Sequence, residues 1–103
     1  MKFTSGEAAI YFHTYYREKL DAFVAQNDLR SCLTLLEEFI ASKPGFLKDL
    51  DQHLPLKTQN QKDLARYYGK LHGDLGDFYR DLGNQGMADR NYKEMDKLTA
   101  AGQ

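Results

Sequence analysis

The chain has 103 residues, one domain by length and enough for a single modest core. Fourteen basic against fifteen acidic residues leave a formal charge of −1, which removes the simplest case for nucleic acid or an acidic membrane, because phosphate binding draws on a basic excess. A lone cysteine, Cys32, excludes an intrachain disulfide, and no apolar run approaches the roughly 18 residues of a membrane span.

The opening MKFTSGEAAIYFH lacks a continuous apolar signal region, so the expected compartment is the cytoplasm. Thr4 and Glu7 have capping-box spacing, in which each side chain satisfies the other's free backbone N–H, and predict a first helix from about Ser5 to Ala25. Phe12, Tyr16, Leu20 and Phe23 recur along it at helical spacing. Asn27 and Asp28 break it, and Asp28 is placed to cap a second helix reaching about Ser42, with Leu29, Cys32, Leu36, Phe39 and Ile40 as its apolar stripe. Lys43-Pro44-Gly45 ends that helix, since proline disfavours helix in the residue before it. Residues 46–57 read as a helical turn, FLKDLDQ, and a connection through Leu54-Pro55-Leu56. Thr58 and Gln61 predict a second capping box and a long helix to Leu82, with Tyr68, Leu71, Leu75, Phe78 or Tyr79, and Leu82 on one face. Gly83 stands where helices take a left-handed terminating residue. The last helix, about Gly86 to Leu98, turns Ala88, Tyr92, Met95 and Leu98 inward. No strand pattern competes, so the expected class is all-α.

Two segments echo each other at an offset of 56 residues: Phe23 with Tyr79, Asn27 with Gly83, Cys32 with Ala88, Leu36 with Tyr92 and Phe39 with Met95. Small residues where two helices cross, aromatics where they wedge and a tight turn between are the ingredients of a helical hairpin. Leu75-Gly76, Tyr79, Gly83, Ala88 and Tyr92 in the second segment, and Phe23, Cys32, Leu36 and Pro44 in the first, resemble the tetratricopeptide (TPR) family. The resemblance implies one domain with TPR-like hairpins at about 13–46 and 69–102, and an insertion at about 47–68 left over from a repeat of about 34 residues. The first copy has Lys19-Leu20 in place of Leu-Gly, and the second has Ala100 in place of the terminal proline. Phe39 and Met95 stand where the family has alanine and should hold a following helix away, which favours a compact four-helix arrangement over a stacked solenoid. Two hairpins bury few neighbours, so self-association as a homodimer is also expected.

Chemistry is sparsely represented. His13, His53 and His72 form no metal-ligand spacing, and His72 reads as a packing histidine. Cys32, on an apolar face, reads as a small hydrophobe. Neither an enzyme nor a cofactor or metal is expected. Gly69, Gly73 and Gly76 line one face of the long helix, a stripe that lets another backbone approach closely. On the same helix Lys62, Arg66 and Lys70 form a basic ridge, and Asp74, Asp77 and Asp81 crowd the C-terminal half, against the preference of the helix dipole. The expected function is protein–protein interaction, a small TPR-like adaptor or chaperone taking a peptide or helix of its partner. The contact surface joins Tyr11 and Tyr15 to Lys62, Arg66 and Lys70, apolar anchors supplying affinity and the ridge supplying register. The alternative is a small nucleic-acid-associated regulator that uses the same ridge.

Overall fold

The computed structural model describes the backbone of residues 6–103 and the side chains of residues 14–103. Helices α1 (Gly6–Ala25) and α2 (Leu29–Ala41) form one antiparallel hairpin. A four-residue helical turn α3 (Gly45–Lys48) and a 3-10 turn (Leu50–Gln52) lead to the long α4 (Gln59–Asp81), which pairs with α5 (Gln85–Ala101) as a second hairpin. The protein is all-α, and among the described residues no helix is long and apolar enough to cross a membrane. The Thr4–Glu7 capping box lies outside the described residues.

Both hairpin turns are built the same way. Asn27 and Gly83 hold positive φ of 56° and 84°, and the following residues, Asp28 and Asn84, have nearly identical φ/ψ of −99°/76° and −100°/79°. Each of those two caps its helix through the side chain: Asp28 accepts from the Ser31 N–H and Asn84 from the Met87 N–H, both at 3.2 Å. Each also sends its own N–H back across the turn, to the Phe23 carbonyl at 2.9 Å and the Tyr79 carbonyl at 2.8 Å. The echo at 56 residues is thus a repeated backbone device. Asn84→Ala, which leaves the Met87 N–H without its acceptor, is expected to cost about 1 kcal/mol in urea unfolding. A change within error would mean that water replaces the cap without loss.

The direction of packing follows from contacts across helices. Glu37 of α2 meets Tyr79 of α4, while Ser42, just past α2, meets Tyr68, so α2 and α4 are antiparallel. α1 therefore runs parallel to α4, and both hairpin turns lie at one end of the molecule. The core between the hairpins holds Tyr16 and Leu20 from α1, Cys32, Leu35 and Leu36 from α2, Leu47 and Leu50 from the connection, and Leu64, Tyr68, Leu71 and Leu75 from α4. The α4 start uses the full capping box: Thr58 accepts from the Gln61 N–H, and the Gln61 side chain accepts from the Thr58 N–H.

Within the second hairpin the glycine stripe faces α5. A Cβ at Gly69 would lie 3.3 Å from the Met95 carbonyl oxygen, one at Gly73 2.7 Å from the Met95 sulfur, and one at Gly76 2.7 Å from the Tyr92 ring. The two bulky residues expected to push a neighbouring helix away are absorbed instead. Met95 fills the space over Gly73, and Phe39 meets the Tyr16 ring edge-on with centroids 5.2 Å apart. Two boundaries also differ from expectation. Leu82 is the C-cap of α4 and 42% exposed, because the helix stops before its face turns inward again. α5 continues three residues past Leu98, because Gly102 docks on α4 and its carbonyl accepts from Arg66 at 2.9 Å.

Candidate functional site

The expected contact surface draws on two helices, α1 and α4. Tyr11 lies in α1, one turn before Tyr15, and its side chain is outside the described residues. Tyr15 is 49% exposed, with the Lys19 ammonium 5.1 Å from the centre of its ring. Lys19 feels the Glu38 carboxylate of α2, whereas Arg17 feels Asp74 of α4. On the α4 ridge Arg66 is spent on structure, ion-paired with Asp63 and donating to the Gly102 carbonyl. Lys62 is half-buried beneath Gly102, where a Cβ would lie 2.7 Å from the Lys62 carbonyl oxygen. Lys70 is exposed.

The acids that oppose the helix dipole have a structural cause. Tyr16 of α1 donates to Asp74 at 3.1 Å, and Tyr92 of α5 donates to Asp77 at 2.6 Å, so the C-terminal half of α4 carries carboxylates that neighbouring tyrosines need as acceptors. A third pair of the same kind, Tyr79 to Glu37 at 2.7 Å, ties α4 to α2. Burial raises the Asp74 carboxyl above the usual range, opposed by the Tyr16 hydrogen bond and by Arg17 and Lys70. Hydrogen bonds to carboxylates are stronger than neutral ones, so these pairs fix helix rotation as well as position.

A second cluster was not visible as such in the sequence. His72, Lys43 and Asn91 are the buried polar side chains among the described residues, 7%, 9% and 7% exposed. Asn91 donates through Nδ2 to the Met87 carbonyl at 2.9 Å, which turns its Oδ1 toward His72 Nδ1, also at 2.9 Å. That oxygen only accepts, so Nδ1 carries the ring proton and Nε2 offers a lone pair. The Lys43 ammonium, 3.1 Å from Nε2, donates to it. The result is one directed chain of hydrogen bonds from the α2–α3 loop, through α4, to α5. The single local signal was a lone histidine on the long helix; nothing near Lys43-Pro44-Gly45 marks that lysine for burial.

No family model, curated protein or solved structure matches this chain. Its chemistry must be judged from the geometry. Burial pushes the Cys32 thiol up, so the group stays a small apolar side chain. Among the described residues no three His, Cys, Asp or Glu groups converge as metal ligands would. Two shallow clefts among the described residues are lined by Gln52, His53, Leu54, Pro55, Lys57 and Gln61 at one place and by Asn27, Asp28, Leu29, Arg30 and Leu82 at another, about 300 and 330 Å³ in volume. Neither reaches the His72 cluster.

The cluster has a pH signature. Desolvation lowers the His72 pKa from 6.5, reinforced by the Lys43 charge and opposed by the Asn91 hydrogen bond and by Glu94. The unfolded chain therefore binds a proton near pH 6.5 that the folded chain resists. The stabilisation is present above that pH and is lost as pH falls below it. Asp74, raised from 3.8, acts in the opposite sense, its contribution being lost as pH rises through its own window. The difference between wild type and His72→Gln isolates the histidine. Urea unfolding of wild type should lose more stability than the variant between pH 7.5 and pH 5; parallel losses would refute the assignment.

Proposed function

We propose that the chain is a protein-interaction module, a small TPR-like adaptor or chaperone that takes a helix or extended peptide of its partner. The observation carrying this reading is Tyr15, a large aromatic that stays half exposed on a helix whose other face is committed to the core, with the Lys19 charge over its ring. Stiff amphipathic aromatics of this kind are favoured anchors at protein interfaces. The two hairpins with matching turns and the TPR-like residue pattern support the same reading. Tyr11, one helical turn earlier in the sequence of α1, is the second residue of this proposed anchor. Lys70, exposed on the basic ridge, tunes the approach of an acidic partner rather than seating it.

The test separates anchor from ridge. Tyr15→Ala is expected to weaken capture of the native partner about tenfold or more, as loss of an aromatic anchor does. Lys70→Glu should mainly slow association and flatten its salt dependence. Both positions are exposed, so helicity and stability should be unchanged. Full capture by Tyr15→Ala would remove the anchor and with it this reading. Nucleic acid is the competing outcome, and it would show as DNA or RNA binding that weakens steeply with salt. Asp63 within the ridge, and Asp74 and Asp77 beyond its end, weigh against it.

A further inference from the structure

The Lys43–His72–Asn91 chain joins the hairpins at one buried point. Lys43 belongs to the loop leaving the first hairpin, whereas His72 and Asn91 belong to the two helices of the second. The two links in it respond differently to a proton. The His72–Asn91 link uses the Nδ1 hydrogen, which neutral and protonated rings both carry. The Lys43–His72 link uses the Nε2 lone pair, which only the neutral ring has. An ammonium has no acceptor to offer a newly formed Nε2–H, and two cations would then face each other at the present 3.1 Å.

We propose that Lys43, His72 and Asn91 form an acid-released clasp between the hairpins: a solvent proton taken up at His72 Nε2 expels the Lys43 ammonium toward Glu94, while His72 stays bonded to Asn91. Glu94 is half-buried on α5, one turn beyond Asn91, and its charge already favours the protonated forms of both Lys43 and His72. The other charged groups acting on the cluster are cations, Lys48 from α3 and Lys97 from α5, with Lys97 held at 3.2 Å by Asp51 next to the connection. Glu94 is therefore the acceptor within the cluster's own surroundings. The clasp opens between hairpins and leaves the α4–α5 hairpin intact. The device is independent of the Tyr15 surface and stands or falls separately from it.

The test is a pH titration of the full chain followed by NMR, reading the His72 ring nitrogens and the backbone amides. At neutral pH the ring should show the Nδ1–H tautomer, and it should titrate below 6.5. Amides of residues 42–48 should shift with the same midpoint, while the amide and side-chain resonances of Asn91 move little. Lys43→Met should raise the His72 midpoint, because the repelling cation is gone. Glu94→Gln should lower it, because the protonated state loses its supporting carboxylate. The proposal is overturned if His72 holds the Nε2–H tautomer, titrates at or above 6.5 in the wild type, keeps its midpoint in Lys43→Met, or protonates without moving residues 42–48.

Discussion

Tyr68→Ala is expected to lower the unfolding free energy by about 3–5 kcal/mol, the usual cost of truncating a buried large aromatic. Tyr68 is fully buried, crosses the Tyr67 ring edge-on at 5.4 Å and sits where α4 meets the end of α2. Its hydroxyl is committed as well. The Ser42 hydroxyl donates to the Phe39 carbonyl at 2.5 Å, so the Tyr68 hydroxyl is the donor in its 2.8 Å bond to Ser42. Burial raises that hydroxyl's pKa to about 12. Alanine would leave a void between α2 and α4 and remove a donor from the last turn of α2. Domains of this size are stable by about 5–15 kcal/mol, so the variant should lose a large share of its folded margin. Urea unfolding should show a much lower midpoint with an unchanged slope. A loss below about 1 kcal/mol would show that the neighbours close over the gap and that the ring is no wedge.

Gly76→Leu is expected to cost about 3 kcal/mol, the upper end of the range for overpacking. Even the Cβ would lie 2.7 Å from one carbon of the Tyr92 ring and 3.2 Å from the Ala88 carbonyl oxygen. The ring cannot swing aside freely, since its hydroxyl is bonded to Asp77 one residue beyond the glycine. Relief requires α5 to move off α4, which also disturbs the contacts at Gly69 and Gly73. Gly86→Ala is the control, because a Cβ there meets nothing nearer than the Asn84 side-chain oxygen at 3.9 Å. It should gain up to about 1 kcal/mol from helix propensity alone. Wild-type stability in Gly76→Leu would show that α5 can slide, and the glycine stripe would then be no close-packed seam.

These two expectations differ in how far they could be read before the fold was known. The glycine stripe was legible, since spacings of four and three put Gly69, Gly73 and Gly76 on one helical face. That the backbone it receives is α5 was decided by the hairpin turn. The charge layout of α4 shows the reverse case. Its conflict with the helix dipole was visible, but its cause lay in tyrosines on α1 and α5 whose hydroxyls could not be aimed from sequence. The surroundings of Tyr15 were hidden for a related reason: which way a ridge looks depends on the rotation of each helix about its own axis, and burying Tyr16 and Leu20 sets that rotation for α1.

What the sequence by itself determined is the class, the order of the helices and most of their ends. Asp28, Thr58 with Gln61, and Gly83 act on groups within a few residues, so their hydrogen bonds form wherever the helix does. Only the tertiary structure decided which polar groups are buried and with whom. Lys43 and His72 are 29 residues apart, Arg66 and Gly102 36, and Tyr16 and Asp74 58. Such pairs depend on the angle and register at which packed helices cross, and the apolar core sets both. The same packing turned a histidine that reads as filler into the middle of a buried polar chain.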